Sequence, residues 1–207
     1  MTGTISLERV ETRRMPLRYG SAACCLTLAD SRYTPEIVAL RNNPEVNRFI
    51  HHDHLTPEAH ERWLRGESMR NDSLNFVILV AGRFAGTASL YQIVPGTKCE
   101  FGRMVMPNDN RRIYAVAAEF LCLSFAFEVL QVSDVYCTVG TQNKLVYEFH
   151  MRNGWKRDPR YDGFTRIHGS ETAELGLSMN YEEWLKAMEN NRDVLRRLHR
   201  GGEPNFD

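Results

Sequence analysis

A polar and basic turn, Pro107-Asn108-Asp109-Asn110-Arg111-Arg112, opens a long apolar run at Ile113–Leu130. A turn that enters a helix presents main-chain N–H groups with no partner, and beside two arginines these suit an anionic, phosphate-bearing ligand. Asn143 follows the next strand, and further on His150 precedes Asn153-Gly154-Trp155. Glu100 sits near the start of the strand that leads into the turn, where a carboxylate can act as a base directly or through water. Strand alternation puts Glu100, Gly102, Met104 and Met106 on one face, with Gly102 leaving room beside the carboxylate. His51-His52-Asp53-His54 gathers three histidines, but no regularly spaced partner and no nearby cysteine accompany them. That segment reads as a polar loop, and no metal is expected.

The elements that would position these residues follow from pattern. Ala22–Leu28 is a short buried strand candidate, and Asp30 or Ser31 caps a helix to about Asn42, broken at Asn43-Pro44. Thr56 as N-cap and Pro57 at the first helical position start a helix to about Met69, with Trp63 and Leu64 turned inward. Asn75–Ala81 and Phe84–Tyr91 form a hairpin around Gly82-Arg83. Strand Cys99–Met106, the helix at Ile113–Leu130 and strand Val135–Val139 follow, then a helix at Lys144–Met151 and a last strand at Ala173–Ser178. Phe120, Phe125 and Phe127 have the spacing of a buried helix face. Tyr161-Asp162-Gly163-Phe164 is a candidate lid. Tyr181–Leu198 is amphipathic, with Trp184, Leu185, Met188, Leu195 and Leu198 as its apolar face. Residues 1–19 are expected to form a peripheral arm, 20–180 one domain and 181–207 a C-terminal helix and tail. The fold class is α/β (α+β), a single domain with helices flanking a mixed, mostly antiparallel central sheet.

Size and charge narrow the function classes. A chain of 207 residues, 43% hydrophobic, can bury one substantial core. Lysine plus arginine and aspartate plus glutamate both number 26, so no global field favours nucleic acid. No apolar stretch is long enough for a membrane span, and the charged N-terminus has no signal-peptide core. The five cysteines lie mostly in apolar segments without C-x-x-C spacing, as reduced core residues of a cytoplasmic protein would.

From about Cys25 to Gly154 the sequence resembles the GNAT N-acetyltransferases. The strand, basic turn, apolar helix, strand and Asn143 carry the resemblance. It implies the GNAT fold, acetyl-coenzyme A as co-substrate and acetyl transfer to a primary amine. In that family the pantetheine arm pairs with the strand that here ends in Met104, Val105 and Met106, and the turn grips the pyrophosphate. The usual turn carries glutamine or arginine, then glycines at the third and fifth places beyond. Here Asn110 or Arg111 fills the first place, and Ile113 and Ala115 take the glycine places, a clear departure. Side-chain charge from Arg111 and Arg112 is expected to replace lost amide contacts, with Tyr114 in the same first turn. The resemblance further implies that Asn143 contacts the cofactor and that Glu100 faces the acceptor amine. His150 stands where the family usually has the tyrosine that protonates the leaving thiolate, a task histidine can also perform.

Leu55-Thr56-Pro57-Glu58-Ala59-His60-Glu61-Arg62-Trp63 looks like the helix start of acetyltransferases acting on nucleotide-linked amino sugars. Arg41-Asn42-Asn43-Pro44-Glu45-Val46 is similar to a stretch shared by those enzymes and the ribosomal-protein N-terminal acetyltransferases. Such loops cover the acceptor side, which makes His51, His52 and His60 acceptor-pocket candidates. The expected acceptor is thus a small-molecule amine, an amino sugar or nucleotide-linked amino sugar. A protein N-terminus is the alternative, as is a non-catalytic acyl-coenzyme A-binding role. A homodimer is left open.

Overall fold

The computed structural model describes residues 24–49, 54–107 and 112–193, without the side chains of Arg112 and Ile113. The expected N-terminal arm, His51, His52, Asp53, Asn110, Arg111, Leu195 and Leu198 lie outside the described residues.

Strands β1 (Cys24–Leu28), β2 (Ser73–Val80), β3 (Arg83–Val94) and β4 (Lys98–Val105) run antiparallel in that order across the sheet. Helix α1 (Thr34–Asn42), the short α2 (Pro44–Asn47) and α3 (Pro57–Ser68) lie between β1 and β2 in the chain. Beyond β4, helix α4 (Arg112–Ser124), extended by one π-helical turn at Phe125–Val129, leads to β5 (Asp134–Gly140), which pairs with β4 in parallel. Helix α5 (Lys144–Arg152), the two-residue β6 (Lys156–Arg157), β7 (Gly163–Ile167), β8 (Ser170–Asn180) and α6 (Tyr181–Asn190) complete the order. The sheet reads β1-β2-β3-β4-β5-β8-β6, with β7 paired to β8. Only β4–β5 is parallel, as expected of a mixed, mostly antiparallel sheet.

One core lies between the sheet and α4, built from Phe76, Ile78, Leu90, Phe101, Phe120, Leu121, Leu123 and Val135. Trp155, Met179, Trp184 and Ala187 join the same cluster, so α6 closes the core that α4 opens. Cys24, Cys99, Cys122 and Cys137 are buried and unbridged. No helix among the described residues is long and apolar enough to cross a membrane.

Several local expectations need correction. The hairpin turns at Ala81-Gly82, one residue earlier than expected, with φ of 49° and 75°. Two left-handed residues match the twist of the flanking strands, and glycine accepts this without strain. Trp63 is 39% exposed, and α3 buries His60 and Glu67 instead. Leu185 is likewise exposed on α6. Strands β6 and β7 had no signal: β6 has two residues, and Phe164 of β7 is 73% exposed at the sheet margin. The candidate lid is instead a short 3-10 turn, Pro159–Tyr161, running into β7.

Strict alternation also fails along β4. Ser89 pairs with Gly102 but Thr87 with Val105, so β4 carries one extra residue there, and Arg103 takes φ 51°. This is a β-bulge, which re-aims the side chains that follow it. Met104 and Met106 therefore pack against the core cluster, and Arg103 instead stacks on Tyr91, beside Glu100.

Candidate active site

Parallel pairing of β4 with β5 covers only Lys98–Glu100 against Asp134–Tyr136. Past Glu100 the strands separate, while β5 stays paired to β8 through Gly140. The edge of β4 from Phe101 onward thus turns main-chain groups toward an open cleft. Such groups need partners, and an extended ligand can supply them. The cleft has a volume of about 1190 Å³. It is lined by Gly102–Met106 on one wall, Val139, Gly140 and Asn143 on another, and α1–α3 at one end.

Glu100 is buried and accepts a hydrogen bond from the Tyr91 hydroxyl at 2.8 Å. Burial pushes its carboxyl above the ordinary range; the nearby Glu174 adds to this, while the bond from Tyr91 opposes it. Tyr91 lines the cleft and Glu100 lies behind it. The space beside Gly102 is therefore taken: a Cβ there would meet the Tyr91 hydroxyl at 2.7 Å. Sequence reasoning missed Tyr91, which only the β3–β4 register reveals.

His150 lines the opposite part of the cleft from α5, and its Nδ1 lies 2.6 Å from Glu119 Oε1. Glu119 is fully buried on α4 and also accepts from Trp155 Nε1 at 2.8 Å and from Asn153 Nδ2. This carboxylate orients the imidazole and leaves Nε2 as the nitrogen that can serve the cleft. Phe101 packs edge-on against the His150 ring. A carboxylate in the middle of an apolar helical run, well before Glu128 near its end, was the available signal for Glu119.

Of the residues expected at the cofactor, Met104, Val105, Met106, Ala115 and Asn143 line the cleft. Tyr114 packs against the core instead. The Asn143 side chain caps α5, accepting from the Val146 N–H at 3.4 Å. The main chain of Arg112 begins α4 beside Ala115.

At the far end, α1 and α3 bring Arg41, His60 and Trp63 to the cleft. Asn42 fixes this end by a two-point clamp: its side chain donates to Leu55 O and accepts from Leu55 N, both at 2.8 Å. Arg103 bridges the walls, donating to Glu67 Oε2 at 2.8 Å and Asn75 Oδ1 at 3.1 Å, with its guanidinium 4.3 Å from the Tyr91 ring centroid. Burial works to raise the Glu67 carboxyl, but hydrogen bonds from Ser73, Arg103 and Asn75 outweigh it and hold the group below its ordinary range. Among the described residues no cluster of metal-ligating side chains forms.

Residues 25–156 match the acetyltransferase (GNAT) domain family, and the chain belongs to it: this is an acyltransferase enzyme. Acetyltransferase PseH of Campylobacter jejuni is 24% identical over 113 residues, 55% of this chain and 70% of that protein. Among solved structures, apo FdhC, a nucleotide-linked sugar GNAT, aligns at a TM-score of 0.71 with 16% identity, covering 87% of this chain and 99% of that one. Spermidine N-acetyltransferase from Vibrio cholerae, in complex with CoA and spermine, aligns at 0.69 with 16% identity, covering 78% and 98%. At these identities the structural likeness shows a shared fold.

Proposed function

We propose that this enzyme transfers the acetyl group of acetyl-coenzyme A to the primary amine of a nucleotide-linked amino sugar. The observation that carries the reading is the separation of β4 from β5 directly beside the Tyr91–Glu100 pair. The cleft exceeds the roughly 300–1,000 Å³ of a single drug-sized site, as a site for donor and acceptor together requires. The open main-chain edge of β4, with Met104, Val105 and Met106, suits the pantetheine arm, and Asn143, the N-cap of α5, lines the same cleft and is assigned to the cofactor. Asn110, Arg111, Arg112 and Ile113 are assigned to the pyrophosphate, together with the start of α4. The fold shared with FdhC, a nucleotide-linked sugar GNAT, supports a nucleotide-linked sugar as acceptor, and the part-exposed Trp63, packed by His60 and Arg103, adds an aromatic edge to that end of the cleft.

Acetyl-coenzyme A supplies the activated acyl group. Tyr91 takes a proton from the acceptor ammonium as it passes its own hydroxyl proton to Glu100 Oε1. A β4 main-chain N–H past Glu100 stabilises the oxyanion that forms when the amine nitrogen attacks the thioester carbon. When the C–S bond breaks, His150 Nε2 gives a proton to the thiolate, and the surplus proton on the new amide nitrogen passes to solvent, from which His150 is reloaded. His51, His52 and His60 are assigned to the acceptor side.

Calorimetric titration with acetyl-coenzyme A, followed by a thiol-release screen of amines, tests the reading. Micromolar binding and turnover of amino-sugar acceptors are expected. Absence of binding would defeat it. Weaker, salt-dependent binding in Arg111→Ala/Arg112→Ala checks the phosphate assignment.

A further inference from the structure

The chemistry above leaves Arg41 unused. It stands in the last turn of α1, half-buried, and lines the cleft beside Arg103 and His60. Among the described residues no carboxylate or other acceptor meets its side chain. Arg103, by contrast, is neutralised by Glu67 at 2.8 Å. The Arg41 guanidinium is held below its ordinary range by burial and by repulsion from Arg103. His60 is 4% exposed, and its Nε2 has no hydrogen-bond partner among the described residues. Its ring is stacked on Trp63 at 5.7 Å, which fixes it in place. Glu45, at the start of α2, also lines the cleft but is exposed, and it forms no ion pair with Arg41.

The Arg41 guanidinium faces the cleft with no counter-charge, and the buried His60 nitrogen without a partner is costly. Two such groups at one end of a substrate cleft call for an anionic ligand. Arginine's planar fork matches phosphate oxygens with two parallel bonds. We propose that Arg41, with His60 beside it, forms a subsite for a phosphate group of the acceptor. The inference rests on the acetyltransferase reading and deepens it. The amine delivered to Tyr91 belongs to a phosphorylated sugar or sugar nucleotide, and polycationic amines are rejected by the charge of this end. Arg103 links the two places, its guanidinium stacked on Tyr91.

The test uses the full chain saturated with coenzyme A, so that the donor site cannot take the probe. Calorimetry is run with UDP, inorganic pyrophosphate, glucuronate and spermine on the wild type, Arg41→Lys and Arg41→Met. UDP and pyrophosphate should bind the wild type in a salt-dependent way. Arg41→Met should lose about tenfold or more, the scale of one charge-assisted hydrogen bond, and Arg41→Lys should recover part of it. The melting temperature of Arg41→Met without anion should equal or exceed that of the wild type, because an uncompensated charge has been removed. Equal UDP affinity in all three proteins overturns the subsite, as does preferential binding of spermine. Preference for glucuronate overturns the phosphate class. A neighbouring void of about 20 Å³ also borders Arg41 and His60 and has room for one water. If that water satisfies both groups, no anion will bind. Failure to bind coenzyme A would strike the acetyltransferase reading separately, and UDP binding would then be measured on the unsaturated protein.

Discussion

Tyr91 and Glu100 stand opposite one another in the β3–β4 register, and the hydroxyl of the first donates to the carboxylate of the second across 2.8 Å. Glu100 is thereby connected to the cleft through Tyr91. Glu100→Gln and Tyr91→Phe should each lower kcat by roughly a hundredfold or more. The double variant should be little worse than either, because the two side chains form one relay. Additive losses in steady-state thiol release would break that link.

The same pair predicts a pH effect on stability. Burial raises the Glu100 carboxyl in the folded chain, so the folded form keeps a proton that the unfolded chain has already released. Stability therefore falls as pH rises from the ordinary carboxylate range through the raised value. Glu100→Gln should remove that fall, so the melting-temperature gap between variant and wild type should widen in its favour across this window. Parallel melting curves would show that Glu100 titrates normally.

Gly102 is predicted to be intolerant for a reason of space. A methyl group there would lie 2.7 Å from the Tyr91 hydroxyl and 3.2 Å from its ring. Gly102→Ala should lower kcat in the wild type and cost much less in a Tyr91→Phe background, where the hydroxyl is already gone. An equal loss in both backgrounds would mean that the alanine acts elsewhere.

Much of this architecture was visible in the amino-acid pattern, because Thr56-Pro57 and Asn143 are caps and the β2–β4 segments alternate or run apolar. The residues that escaped did so for physical reasons. Arg103 adopts a left-handed backbone with no sequence signature, and the bulge there turns Met104 and Met106 to pack against the core while they still line the cleft. Trp63 has the composition of a core residue but faces the cleft, and Tyr91 matters only through cross-strand register. Glutamate occupies the buried face of α3 at Glu67 because Ser73 and Arg103 meet it there, which no single-helix pattern can show.

Glu119 predicts a further separation of effects. It accepts from His150, Asn153 and Trp155 at once, so Glu119→Gln keeps the shape while an Asn153 amide flip can restore one bond. A stability loss of about 1–3 kcal/mol is expected. If Glu119 orients His150 for proton transfer, kcat should fall and its pH profile should change while KM for the acceptor holds. A stability loss with unchanged kinetics would leave Glu119 a purely structural anchor.

The clamp of Asn42 on Leu55 has a consequence for how acceptor choice can change. One amide side chain closes a ring across a sequence separation of 13, joining the end of α1 to the approach of α3. Insertions or replacements inside that ring would leave its seam, and the sheet behind it, untouched. Of the residues proposed for the acceptor side, His51 and His52 lie inside that ring and are free to diverge, while Arg41, His60 and Trp63 outside it stay fixed with the sheet.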